Sequence, residues 1–143
     1  MTVEHILSAK GHDVFTIEPQ CTLADAARLL SERRIGAAIV SDGARPVVGI
    51  LSERDIVRAL AAHGTAALEQ PVSRCMTTDV VTCRARASIT DVMEVMTNGK
   101  FRHVPVVEND RLAGIVSIGD IVKQRLAEIE TEQQALKEYI ATA

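Results

Sequence analysis

The chain has 143 residues, 47% of them hydrophobic, with a net charge of −3, 2% aromatic residues and no tryptophan. That is enough apolar material for one packed module built from Val, Ile, Leu, Ala and Met. It offers neither a basic footprint for a polyphosphate partner nor aromatic platforms for stacking single-stranded bases, so nucleic-acid binding is disfavoured. Cys21, Cys75 and Cys83 form no Cys-x-x-Cys pair, and no histidine stands at ligand spacing. An odd cysteine count without a basic-then-apolar leader reads as reduced packing thiols in a cytoplasmic protein. No apolar run approaches the ~18 residues of a membrane span.

Val3 to Lys10 is predicted as a short helix with Ile6 and Leu7 inward, ended by Gly11. Val14 to Ile17 reads as a strand closed by Pro19. Thr22 to Arg33 has apolar residues at helical period behind a Thr22/Asp25 cap. Gly36 to Val40 and Val47 to Leu51 read as strands around the turn-rich Ser41-Asp42-Gly43-Ala44-Arg45-Pro46. A helix follows from Ser52, with Ile56, Val57 and Leu60 on one face. After a connection with a short helix over Val72 to Met76, the order repeats. Val80 to Thr82 is a strand, Ser88 to Thr97 a helix, His103 to Val107 a strand, Asn109-Asp110 a turn and Leu112 to Val116 a strand. Pro105 lacks an amide proton, which places its strand at an edge or in a bulge. The last helix runs from Ser117 to about Ile140. Val122, Leu126, Ile129, Gln133, Leu136 and Ile140 make a narrow seam on it. That seam packs along the chain's own domain or against another molecule.

The copying extends to whole phrases. Gly49-Ile50-Leu51-Ser52-Glu53-Arg54-Asp55-Ile56-Val57 returns as Gly114-Ile115-Val116-Ser117-Ile118-Gly119-Asp120-Ile121-Val122. Thr22-Leu23-Ala24-Asp25 returns as Ser88-Ile89-Thr90-Asp91. Aligning Val40 with Val107 puts one inserted residue before the second copy's middle strand and sets Ile35 and Gly36 against Arg102 and His103. Two copies are too few for a solenoid, so they are expected to close on each other about a pseudo-twofold axis. The expected division is residues 1–66 for the first copy with the N-terminal helix, 67–127 for the second, and 128–143 for a helical extension.

Ser52-x-x-Asp55 and Ser117-x-x-Asp120 have two readings. The serine can cap a helix whose dipole the aspartate complements. Alternatively, a strand end leading into a helix start offers free amides to a phosphate, with a carboxylate that can accept from vicinal ribose hydroxyls. Arg54, Arg58 and Lys123 stand near the same helix starts, as phosphate ligands or as solvated helix charges. Lys10-Gly11-His12 could reach a pocket mouth.

The duplicated Gly-Ile-x-Ser-x-x-Asp, with Thr-Leu-x-Asp-Ala and Arg102-His103-Val104-Pro105-Val106 upstream, resembles a pair of cystathionine-β-synthase-type (CBS) domains over roughly residues 3 to 126. The resemblance implies an α/β (α+β) fold of two β-α-β-β-α repeats packed through their sheets, followed here by a long C-terminal helix. It implies two clefts that bind adenine nucleotides or related adenosyl compounds: AMP, ADP or ATP, with NAD or S-adenosylmethionine as further candidates. Asp55 and Asp120 match the ribose-binding aspartates, with Ser52 and Ser117 beside them. Thr16 and Thr82 match the strand residue lining each pocket. Ala37-Ala38 and Val104-Pro105 match the edge that contacts adenine, and Arg102 and His103 a basic pair near phosphate. The two sites should not be equivalent.

The expectation is thus a regulatory module sensing adenine nucleotides, without an obligatory cofactor. It would be a homodimer acting on a partner protein that the sequence does not identify. An enzyme would need a grouped nucleophile and base, paired carboxylates or a metal cluster, and no signature groups such residues. The alternative is a ligand-free interaction module working through its dimer surface and C-terminal helix.

Overall fold

The computed structural model describes residues 1–142. Helix α1 (Val3–Lys10) leads into strand β1 (Thr16–Ile17), helix α2 (Leu23–Arg33), strands β2 (Ala37–Val40) and β3 (Gly49–Ser52), and helix α3 (Glu53–His63). Two 3-10 turns, Gly64–Glu69 and Val72–Arg74, form the connection. Helix α4 (Ile89–Gly99), strands β4 (His103–Glu108) and β5 (Arg111–Ser117) and helix α5 (Ile118–Thr142) follow. β1 joins β2 in parallel and β3 pairs antiparallel with β2. β4 and β5 form a separate antiparallel pair turned by Asn109 and Asp110, both in the left-handed region. Thr22 and Ser88 cap α2 and α4 by accepting from the amides of Asp25 and Asp91. Both helices end on a left-handed residue, Arg34 and Lys100.

The two cores do not follow the sequence division. Leucine, isoleucine and valine from α2, β2, β3 and α3 pack with Ala67 and Val72 of the connection. Val3, Ile6 and Leu7 of α1 instead enter the core made by α4, β4, β5 and α5. The backbone follows the same exchange. Val3 and Glu4 donate to the carbonyls of Ala87 and Ala85, while Val72 and Ser73 donate to those of Cys21 and Pro19. Each copy therefore lends the segment that precedes it to the other copy. Close approach makes the exchange possible. A Cβ at Gly114 would lie 2.7 Å from Leu7 Cδ2, and one at Gly49 would lie 2.5 Å from Met76 Sδ. The cysteines pack on these cores: Cys21 and Cys75 on the first, Cys83 on the second. Burial, reinforced by the Glu108 charge, pushes the Cys83 thiol up to about 11, which keeps it protonated.

Strand register corrects the alignment of the copies. Ala37 pairs with Ser52 and Val40 with Gly49, while His103 pairs with Ser117 and Val106 with Gly114. Val106 is therefore the counterpart of Val40. The extra residue is a bulge between Val106 and Val107, inside β4 and not before it. Arg102 and His103 thus correspond to Gly36 and Ala37. Pro105 takes the place of Ile39, next to the bulge. It also explains why Val80 to Thr82, expected as a strand, is not one. Cys83 makes a single parallel bridge to Val106, donating to the Pro105 carbonyl and accepting from the Val107 amide. The next rung would need an N–H from Pro105, which has none.

Two helix faces also differ from expectation. Val57 is 65% exposed although its neighbour Ile56 is buried. α5 faces the core through Ile121 and contacts α1, α4 and β5 near its start. Its seam does not pack along the domain, because Val122, Leu126, Leu136 and Ile140 are all between 46% and 64% exposed. Ala143, the end of the expected extension, lies outside the described residues. Among these, no helix is long and apolar enough to cross a membrane.

Candidate functional site

The start of α3 opens onto a cavity of about 570 Å³, within the range of small-molecule sites. Gly36, Ile50, Ser52, Glu53, Arg54, Asp55 and Arg58 form one wall. The others come from the second copy: Thr77 with Asp79-Val80-Val81, and Gly99 to His103 at the end of α4. Among the described residues, Asp55 is the one charged residue buried with the core, at 6% exposure.

Its two oxygens have different duties. Oδ2 accepts from the Ser52 amide at 2.9 Å and from Ser52 Oγ at 3.1 Å, while the Asp55 amide donates back to Ser52 Oγ at 3.3 Å. That is a capping box, so the structural reading of Ser-x-x-Asp holds. Oδ1 is left with two long contacts, Thr77 Oγ1 at 3.4 Å and Arg58 Nη1 at 3.4 Å. The helix cap therefore uses one oxygen and leaves the other available to a ligand's hydroxyl. The capping and binding readings are compatible in one carboxylate.

Asp120 repeats the box. Ser117 donates to its Oδ2 at 2.9 Å, and the Asp120 amide donates to Ser117 Oγ at 3.1 Å. Here Lys10 Nζ also donates to Oδ2 at 2.8 Å and to the Ile115 carbonyl at 3.1 Å. His12 Nδ1 donates to the Ala113 carbonyl at 3.0 Å and ties the same segment to β5. Burial raises the Asp120 carboxyl, but the bonds from Lys10 and Ser117 and the Lys10 charge outweigh it and hold the group below its usual range.

A carboxyl lowered by folding stabilises the protein above its unfolded value, and that stability fades as pH falls through the folded value. Lys10→Met is thus expected to cost about 1 kcal/mol or less at pH 7, the pair being partly exposed. The difference should shrink toward pH 3 in urea unfolding. An equal difference at both pH values would mean that Lys10 acts by packing alone.

Of the expected site residues, the cavity gathers Ser52, Arg54, Asp55, Arg58, Arg102 and His103. Arg102 and His103 thus join the first copy's arginines in one cleft. Burial lowers the pKa of His103, opposed by Asp120 and Glu53 and aided by Lys10 and Arg102, so the ring lies within reach of charges from both helix starts. Ser117, Asp120 and Lys123 stand at the other helix start, with no Lys123 contact to Asp120 among the described bonds. Thr16 and Thr82 are exposed, Ala37, Ala38, Val104 and Pro105 are buried in β2 and β4, and none of the six lines the cavity. Thr77, Val81 and Phe101 do line it, and sequence reasoning missed them. Thr77 could have been found from Val72-x-x-Cys75-Met76, which repeats Val3-x-x-Ile6-Leu7 immediately before it. Among the described residues, no three His, Cys, Asp or Glu side chains converge to hold a metal.

Comparison with known proteins adds a family match and three likenesses. The CBS domain description matches residues 3–62 and 72–127. A 17.7 kDa protein of Acidianus ambivalens is 37% identical over 121 residues, which is 84% of this chain and 71% of that protein. The crystal structure of a CBS-domain-containing protein from Agrobacterium tumefaciens is 49% identical, covering 87% of this chain and 92% of the other, with a TM-score of 0.84. The CBS domain pair of protein MJ0100, solved in complex with 5′-methylthioadenosine and S-adenosyl-L-methionine, is 26% identical, with a TM-score of 0.79 and coverage of 90% and 98%.

Proposed function

Because the chain belongs to the CBS-domain family, we propose that it is a non-catalytic regulatory module whose Asp55 cleft binds an adenosyl ligand. The observation that carries this is the second oxygen of Asp55, which faces a cavity of about 570 Å³ with only 3.4 Å contacts. A carboxylate in that position can accept from two vicinal hydroxyls, and Arg54, Arg58, Lys100 and Arg102 on the walls suit a phosphate-bearing ligand. Candidate ligands are AMP, ADP and ATP, with NAD and S-adenosylmethionine as longer or cationic alternatives. Mass spectrometry of what co-purifies, followed by calorimetry with those five compounds, tests the reading. A chain that carries no adenosyl compound and gives no heat with any of them would overturn it.

We further propose a homodimer. Val57 and Val122 are equivalent positions in the two copies, and both are exposed, at 65% and 46%. Beyond Glu128 every described residue of α5 is exposed, including Ile129, Leu136 and Ile140. Leaving such side chains in water forgoes roughly 1.5–3 kcal/mol each. Removal of residues 128–143 is expected to weaken dimerisation at least tenfold in light scattering. Unchanged dissociation would assign the dimer to the module surfaces alone.

A further inference from the structure

Helix α3 ends after 11 residues, whereas its counterpart α5 runs for 25. Residues 129–142 of α5 are all exposed and make about 21 Å of helix. Beyond Asp120, α5 turns Ile121, Gln124, Arg125 and Glu128 toward its own module, all of them buried or half-buried. Val122, Leu126 and Ile129 are that stripe moved on by one residue, about 100° round the helix. The seam that they begin, continued by Gln133, Leu136 and Ile140, is therefore open to a second helix lying beside the module.

The charges along the seam say which helix fits. Lys123, Glu130 and Lys137 each follow a seam residue and form one flank. Arg125, Glu132 and Tyr139 each precede one and form the other flank. In a parallel, in-register pair, a residue of the second flank meets the residue five positions further on in the first flank of the other copy. Arg125 then meets Glu130, and Glu132 meets Lys137, each contact occurring twice by symmetry. All four are attractive. An antiparallel pair sets like flank against like flank, so Glu132 never meets Lys137.

The helix itself gives these two charges nothing to pair with. Residues three and four apart are neighbours on a helix surface. At those spacings Lys137 has Gln133, Gln134, Ile140 and Ala141, and Glu132 has Ile129, Ala135, Leu136 and a like charge, Glu128. Arg125 differs, since it already bonds Glu128 at 2.9 Å. Glu132 and Lys137 are thus the pair that tells the arrangements apart.

From this we infer that α5 is the docking surface for α5 of a second copy, in a parallel, in-register coiled coil. The inference rests on the homodimer reading above and gives that dimer its orientation. Both modules lie at one end of the paired helices, and Gln133 faces its symmetry mate in the seam, where a polar layer fixes register.

Sedimentation equilibrium of the full chain at low salt tests the charges. Lys137→Glu should raise the dimer dissociation constant at least fivefold, because it sets a carboxylate against Glu132 of the other copy. Adding Glu132→Lys should restore it to within twofold of wild type. Ile129→Cys and Ile140→Cys, made singly, test the register. Under mild oxidation each should give a disulfide-linked dimer above the wild-type level, whereas an antiparallel pair can bring at most one of these positions to its mate. A dimer that Lys137→Glu leaves unchanged, that the second substitution does not restore, or that cross-links at fewer than both positions overturns the inference and leaves the homodimer standing. A chain that stays monomeric at every concentration removes the homodimer and the inference together.

Discussion

Asp55→Ala is expected to abolish adenosyl binding at the open cleft and to weaken the fold at the same time. Removing the carboxylate leaves two ribose hydroxyls without a charged acceptor, at about 1.5–3 kcal/mol per bond, so affinity should fall a hundredfold or more. The same change deletes the acceptor of the Ser52 amide and hydroxyl in the α3 cap, which costs about 0.5–2 kcal/mol of stability. Asp55→Asn separates the two effects. Its amide oxygen can still accept from Ser52 and hold the helix start, while the charge offered to the diol is gone. Calorimetry should therefore show both variants impaired, and urea unfolding should show only the alanine variant clearly destabilised. Wild-type affinity in both would reduce Asp55 to a helix cap.

Leu7→Ala is expected to cost about 2–5 kcal/mol, in line with emptying a fully buried leucine site. The place where that loss appears matters more than its size. Leu7 precedes the first copy in the chain, yet it packs against Gly114 and the core of the second. Amide exchange should accelerate first at Val106 and Val116, ahead of Val40 and Leu51. Met76→Ala should show the reverse order, since Met76 packs on the first core. Faster exchange confined to β2 and β3 in the Leu7 variant would contradict the exchange of leading segments. Equal acceleration everywhere would show that the two cores unfold as one unit.

The sequence by itself determined the duplication, the helix starts and the carboxylates. Those features rest on local chemistry: apolar residues at helical period, a serine or threonine with an aspartate three residues on, and a strand ending where a helix begins. The capped helices at Thr22, Ser52, Ser88 and Ser117 all appear where those signals stand. The family resemblance supplied the roles of Asp55 and Asp120, which periodicity alone left open between cap and ligand.

What the tertiary structure decided is everything that depends on which copy a segment meets. Val-x-x-Ile-Leu has the same helical pattern whether it packs on its own repeat or on the other, so the exchange of α1 for the connection left no trace in periodicity. The position of the extra residue in β4 was equally hidden. Val106 and Val107 are chemically alike, and only pairing with Gly114 and Leu112 tells them apart. The same pairing moved Arg102 and His103 opposite Gly36 and Ala37. Lys10 and Asp120 are 110 residues apart, and nothing local couples them. Their contact exists because α1 lies against β5, and it sets a lysine 2.8 Å from one of two matching aspartates, where the other has Arg58 at 3.4 Å.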